Sequence, residues 1–338
     1  MTLLDRILAE GTPLIDGEQV TFAWVGGSAP DLMGDFTYWN DSVKLTQIEP
    51  NIWTYTHTFP LDAYVEYAYF GEGDSRLDDP HNKRRVSNGM GKFNASFYMP
   101  EAKLNQVFIN KRSKINLTKH KLTNHLGYAT NKRDLWLYAP PVAEAVPLVV
   151  VYDGKDYLKR AYLPYLVESL ISQGRIRPIA LAMVDNHSQA RWLEYNCSEG
   201  MLTAVLDSVI PTAQQHLNLL SPGTYGVMGA SMGGLMALYT ALRKPDIFNT
   251  VISQSGAFLP FTPELEPIYS LLLDTFKTPP PLKIWLDVGR LEWLLEPNRS
   301  LHARLKAWDV TYFEYNAGHN YPAWANALEY ALPAVFGS

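Results

Sequence analysis

The stretch Thr224–Leu242, TYGVMGASMGGLMALYTAL, constrains what this chain can fold into more than any other. A buried apolar run, Tyr225–Met228, meets Gly229-Ala230-Ser231-Met232-Gly233 and passes directly into an apolar helix. A strand that turns sharply into a helix crowds the residue at the bend, and glycines on its two sides leave it room. The bend is expected to lift the Ser231 hydroxyl clear of the sheet, at the N-terminal end of the helix. Strand, Gly-x-Ser-x-Gly and helix in this order are the setting of an activated serine. The plainer alternative is a tight strand–helix packing turn, and the rest of the chain has to decide between them.

A chain of 338 residues is long for a single core, so two domains are expected. The composition is globular, 47% hydrophobic and 19% charged, and the net charge of −5 gives no reason to expect a nucleic-acid partner. No stretch reaches the length of a membrane span; Leu148–Tyr152 reads as a buried strand. The N-terminus carries acids early and no apolar core of a signal peptide, and the single Cys197 excludes an internal disulfide framework. A cytoplasmic protein is the expectation. Nothing in the composition speaks to oligomeric state.

From about residue 20 to 110 the pattern is β. Val20–Val25, Ile52–Phe59, Val65–Gly71 and Lys92–Met99 are alternating, aromatic or β-branched runs separated by Gly, Pro, Asn and Asp clusters, which suggests a sandwich of roughly one hundred residues. Residues 107–124, rich in lysine, read as a linker running into the first edge strands of the second domain. From Asp134 strands and helices alternate. The expected strands are Leu135–Tyr138, Leu148–Tyr152, Ile179–Val184, Tyr225–Met228, Thr250–Gln254, Leu282–Val288 and Val310–Tyr315. Helical periods fall at Leu163–Ser172, Leu202–Leu217, Gly233–Arg243, Leu301–Trp308 and about Ala323–Val335. Continuous apolar strands between amphipathic helices imply a mostly parallel sheet covered on both faces. The division expected is a β-sandwich over 1–112 and an α/β domain over 113–338.

In such sheets the chemistry sits beyond the C-terminal strand ends. There the chain places Asp153-Gly154-Lys155, then Asp185-Asn186-His187 with Arg191, Trp192, Glu194 and Tyr195, then Ser231, then Glu292-Trp293, then Gly318-His319. A serine, a carboxylate and a histidine arrive in the order Ser, Glu, His, each in a loop after its own strand, which is the α/β-hydrolase pattern. A serine hydroxyl needs an adjacent base, and His319 alone of the eight histidines follows the last expected strand, behind a glycine that lets its loop turn. His187 is read as a pocket or surface residue. The acid is Glu292, with Asp287 and Glu296 as alternatives. The oxyanion hole falls to the backbone N–H groups of Met232 and Lys155, with Gly154 beside them. No metal-ligand spacing and no phosphate loop competes, so no metal and no cofactor is expected.

Two resemblances add to this. Gly34-Asp-Phe-Thr-Tyr-Trp39, Trp53, Tyr64–Phe70 and Leu77-Asp-Asp-Pro80-His-Asn82 are similar to the immunoglobulin-like early-set module that precedes glycogen-branching enzymes and related esterases. That resemblance implies that Trp39 and Trp53 either bind sugar or fill the sandwich core or the domain interface. From about residue 125, Trp136-Leu-Tyr138, Tyr152-Asp-Gly-Lys155, Arg191-x-x-Glu194-Tyr195, Gly229–Leu235, Ser253-Gln-Ser255-Gly, Gly289-x-x-Glu292-Trp293 with Asn298, and Gly318-His319-Asn-Tyr-Pro-Ala-Trp324 resemble the putative-esterase family, and its enterochelin-esterase branch above all. The branch has Trp where Tyr321 stands, and the family often has Asp at Glu292. The resemblance implies a serine esterase of a siderophore or other catecholate or aromatic small-molecule ester, with Asp153, Gly154, Arg191, Trp192, Glu194, Tyr195, Trp293, Tyr321 and Trp324 as pocket candidates. A feruloyl or acetyl-xylan type of carbohydrate esterase is the alternative. A glycan-binding protein with an inactive hydrolase domain is the alternative of another class.

Overall fold

The computed structural model describes residues 2–103, 115–123, 132–186, 189–259 and 267–337. The chain forms two compact units. One comprises residues 1–104 together with 289–293 and 315–323; the other comprises 105–288, 294–314 and 324–338.

The first unit opens with helix Leu3–Glu10, started by a reciprocal cap in which the Thr2 hydroxyl accepts from the Asp5 N–H at 3.1 Å and the Asp5 carboxylate accepts from the Thr2 N–H at 3.0 Å. Two antiparallel sheets come next. In one, Leu14–Asp16, Gln19–Val25, Ile52–Thr58 and Thr46–Glu49 lie in that order. In the other the order is Val43–Lys44, Asp31–Gly34, Tyr64–Phe70, Phe93–Tyr98 and Arg85–Ser87, with Arg76–Leu77 on Tyr64–Phe70. Alternate residues turn inward, so Val20, Phe22, Leu32, Phe59, Val65, Tyr67, Tyr69 and Phe97 build one aromatic core. Gly34 ends its strand where any Cβ would sit 2.7 Å from the Glu66 carbonyl oxygen and 3.0 Å from Tyr67 Cβ. Trp39 and Trp53 are half-buried and direct their indole N–H groups into this unit, at Asp35 Oδ1 (2.8 Å) and the Gly26 carbonyl (3.0 Å).

The second unit holds a sheet of eight strands, numbered here in chain order: β1 (Asn116–Thr123), β2 (Lys132–Ala139), β3 (Leu148–Val151), β4 (Ala180–Val184), β5 (Tyr225–Ala230), β6 (Phe248–Gln254), β7 (Lys283–Gly289) and β8 (Asp309–Tyr315). Their order is β1-β2-β4-β3-β5-β6-β7-β8. The pairs β4–β3, β3–β5, β5–β6 and β6–β7 are parallel, while β1–β2 and β2–β4 are antiparallel. Strands β3, β4 and β5 are buried at every residue, as expected of a sheet covered on both faces by helices. Helix Met232–Arg243 is buried from Met232 to Leu242.

Of the stretch 107–124, expected as a linker running into the first edge strands, residues 116–123 form an eight-residue edge strand with Lys119 and Lys121 on it; 107–114 and 124 lie outside the described residues. The helix expected over Leu301–Trp308 runs instead from Leu295 to Arg304, because the apolar residues at its far end belong to the turn beyond it. The period over Leu202–Leu217 resolves into Glu199–Ala204, a wider π turn at Val205–Val209, and Ile210–His216. Pro211 has no N–H to return to the carbonyl of Asp207, and the helix widens just ahead of it. Among the described residues no helix is long and apolar enough to cross a membrane.

Candidate active site

The bend after β5 has the geometry its glycines require. Ser231 sits at φ 58°, ψ −123°, a conformation that non-glycine residues rarely adopt, at the head of helix Met232–Arg243. A Cβ at Gly229 would overlap the backbone of Gly233, one at Gly233 would lie 2.9 Å from Asp153 Oδ2, and one at Gly234 would lie 2.7 Å from Ser253 Oγ. The next strand holds the bend through its backbone. The Ser231 N–H donates to the Gln254 carbonyl at 2.8 Å, and the Ser231 carbonyl accepts from the Ala257 N–H at 3.0 Å.

The loop after β3 is built to meet it. Asp153 is in the left-handed region (φ 54°) and caps helix Gly154–Lys159, and a Cβ on Gly154 would run into the Met183 backbone. The buried Asp153 carboxylate takes a forked pair of bonds from Arg191, at 2.7 and 2.6 Å, and one from Asn186 Nδ2 at 2.5 Å. Arg191 also donates to the Ala230 carbonyl at 3.2 Å, the residue just before the serine. One guanidinium therefore ties the β3 loop to the bend. Tyr195 accepts from the Asp153 N–H at 3.1 Å, and Glu194 is ion-paired with buried Arg133. Asp153, Glu194 and Tyr195 are buried, and the Asp153 carboxylate, one Glu194 oxygen and the Tyr195 hydroxyl are engaged inside the unit. Trp192 is half-exposed. Trp324 is buried and donates from its indole to Ser255 Oγ at 2.9 Å. His187 lies outside the described residues.

Of the three carboxylates weighed as the acid, one meets the histidine. Glu292 is 1% exposed; its Oε2 lies 2.5 Å from His319 Nδ1 and its Oε1 accepts from the Gly289 N–H at 2.7 Å. Asp287 is fully buried and accepts from Gln254 Nε2 (3.0 Å) and Trp285 Nε1 (2.6 Å). Glu296 is exposed and pairs with Arg299 at 2.6 Å. The half-exposed Trp293 lays its ring over the His319 imidazole, with centroids 4.7 Å apart. Tyr321 is buried two residues beyond the histidine.

Gly318 is a correction to the sequence reading. It is not in the left-handed region, so its role is not turn freedom; a Cβ there would overlap the carboxyl of Asp35. Glu292, Trp293, His319 and Tyr321 all belong to the unit built by the sandwich. Ser231, Met232, Lys155, Arg191, Trp192 and Trp324 belong to the other. Among the described residues no group of three or more His, Cys, Asp or Glu side chains is placed to hold a metal ion.

The family model described as "Putative esterase" matches residues 129–335. The chain belongs to this family. Among curated relatives, the iron(III) enterobactin esterase of Dickeya dadantii is 29% identical over 218 residues, 59% of this chain and 50% of that protein, so the chain aligns with about half of its relative's length. Among solved structures, the enterobactin esterase of Shigella flexneri, determined in the presence of enterobactin, superposes with a TM-score of 0.77 at 21% identity, covering 93% of this chain and 92% of that one. A ferulic acid esterase superposes at a TM-score of 0.53 and 15% identity, covering 66% of this chain and 99% of the other. These structures establish the fold: an antiparallel sandwich ahead of a mixed, mostly parallel α/β sheet.

Proposed function

We propose that this chain is a serine esterase of the enterochelin-esterase type, with Ser231 as nucleophile, His319 as base and Glu292 as the acid behind it. The observation that carries this is the Glu292–His319 hydrogen bond. A carboxylate on Nδ1 keeps that nitrogen protonated and leaves Nε2 as the acceptor for a hydroxyl proton. It also stabilises the imidazolium that forms as Ser231 attacks an ester carbonyl. The strained backbone at Ser231 supports the nucleophile's role. In this reading the N–H groups of Met232 and Lys155 stabilise the tetrahedral oxyanion. His319 then returns the proton to the leaving alcohol, and water, activated by the same imidazole, releases the acid from the acyl-serine.

The relatives' names point to a catecholate ester, and Trp293, half-exposed on the imidazole, suits an aromatic acyl group. A feruloyl ester is the second reading. The enterobactin esterase structure matches nearly the whole chain and the ferulic acid esterase only two thirds of it, which favours the first.

The test is a fluorophosphonate probe with the wild-type protein and Ser231→Ala, followed by hydrolysis of p-nitrophenyl acetate, methyl ferulate and a catecholate trilactone with and without iron. Labelling at Ser231 and preferential turnover of the trilactone are expected. No labelling of Ser231 refutes the enzyme reading, and preference for methyl ferulate favours the second.

A further inference from the structure

Asp35 is a buried carboxyl that the proposed mechanism does not use. It stands in the turn Asp35–Thr37 at the end of sandwich strand Asp31–Gly34 and is 1% exposed. Its Oδ1 accepts from Trp39 Nε1 at 2.8 Å, and its Oδ2 accepts from the Glu66 N–H at 2.8 Å and, at a longer 3.4 Å, from Asn320 Nδ2. The same carboxyl lies against the α-carbon of Gly318 so closely that no side chain fits there. Asp35 thus touches the residues immediately before and after His319.

The rest of that loop is held from the same side. The Tyr64 N–H donates to the Asn316 carbonyl at 3.0 Å, Tyr64 bridges to Ala317, and Asn316 Nδ2 donates to Asp62 at 2.7 Å. The Ala317 carbonyl in turn accepts from the Leu291 N–H at 3.0 Å, and a Cβ on Gly289 would strike that carbonyl. The loop of the base, the loop of the acid and the sandwich are one packed layer.

We infer that Asp35 is a positioning residue for His319: by clamping Gly318 and Asn320 from the sandwich, it sets the imidazole's alignment with Glu292. This rests on the reading of His319 as the base. Burial, then the charges of Glu66 and Glu292, push the Asp35 carboxyl well above the usual carboxylate range, against the hydrogen bonds from Glu66 N–H and Trp39. A misplacement of the base by about 1 Å is enough to lower kcat by about 10²-fold.

The experiment compares wild type, Asp35→Ala and Asp35→Asn as full-length protein, each checked by circular dichroism. It measures kcat and KM on p-nitrophenyl acetate and the downfield proton resonance of the His319 Nδ1–H, with His319→Ala as the control that assigns both. Asp35→Ala is expected to lower kcat by about 10²-fold with KM within a factor of about three, and to shift or broaden the Nδ1–H signal. Asp35→Asn keeps the contact with Gly318 but loses one acceptor, and is expected to recover most of kcat. A folded Asp35→Ala with wild-type kcat and an unmoved resonance overturns the inference. If Asp35→Ala does not fold, Asp35→Asn decides: its lost acceptor must still perturb the resonance, and an unmoved signal overturns the inference. Full activity in His319→Ala would instead overturn the reading of the base, a separate failure.

Discussion

Ser231 and His319, the proposed nucleophile and base, are held in place by opposite means. The bend at Ser231 is made by its neighbours in sequence: Gly229 leaves space for the backbone of Gly233, four residues on, and β6 takes the Ser231 N–H. The base is held by residues far away in sequence. Asp35 packs on Gly318, Tyr64 bridges to Ala317, and Asp62 accepts from Asn316. A local device tolerates change elsewhere in the chain. A remote one ties the His319 loop to the sandwich, and under the proposed function the alignment of the base would depend on the N-terminal segment.

The largest effect that sharpens this contrast separates two buried carboxylates. Glu292→Ala removes the group on His319 Nδ1 and is expected to lower kcat by about 10⁴-fold, as loss of a triad acid does. Asp287→Ala takes the acceptor of the Trp285 indole N–H and one of the two acceptors of the Gln254 amide, which keeps the Trp324 carbonyl at 3.0 Å, and is expected to cost about 1–3 kcal/mol of stability, read as a fall in melting temperature. If Asp287→Ala cripples kcat in a folded protein while Glu292→Ala does little, the assignment of Glu292 as the acid fails.

A smaller effect compares the glycines. Gly229→Ala sets a methyl against backbone that has no rotamer to yield, so stability and turnover should fall together. Gly318→Ala pushes the base loop off a single side chain. It is expected to lower kcat by about 10²-fold with a smaller fall in melting temperature than Gly229→Ala, because a side chain has more room to yield than backbone. Equal thermal losses in the two variants would show that both halves are held alike.

The same distinction explains what was legible in the sequence. The β5 bend, the strand ends and the order Ser231, Glu292, His319 could be read because periodicity and glycine spacing encode them within a few residues. The module's Gly34-Asp35-Phe36 was legible as a motif, but the contact of Asp35 with Gly318 joins positions 283 residues apart, and no local pattern reports that. For the same reason Gly318 was read as a turn former. The spacing of Arg191 marks it only as a pocket candidate; the forked bond to Asp153 and the tie to the Ala230 carbonyl, which make it framework, are tertiary facts. The signal available for Asp35 is a charged residue set among Phe36, Tyr38 and Trp39 at the end of a sandwich strand.

Cys197 supplies the finest probe of the comparison. It is buried in the apolar cluster of the serine's unit, and burial pushes its thiol up to about 12. A free cysteine titrates near about 8.5, so at pH 8 an exposed thiol is partly thiolate and reacts, while this one stays protonated and inert. The sign is fixed: burial penalises the charged form, and reactivity appears only as the pH approaches the raised value or as the surrounding packing opens. Mass spectrometry after iodoacetamide treatment at about pH 8 is expected to find Cys197 unmodified in the wild type, in Asp35→Ala and in Gly318→Ala, and modified in Gly229→Ala. Alkylation in the base-loop variants would mean that loosening the base also loosens the serine's unit, and the two halves would then be one cooperative structure instead of two independently held ones.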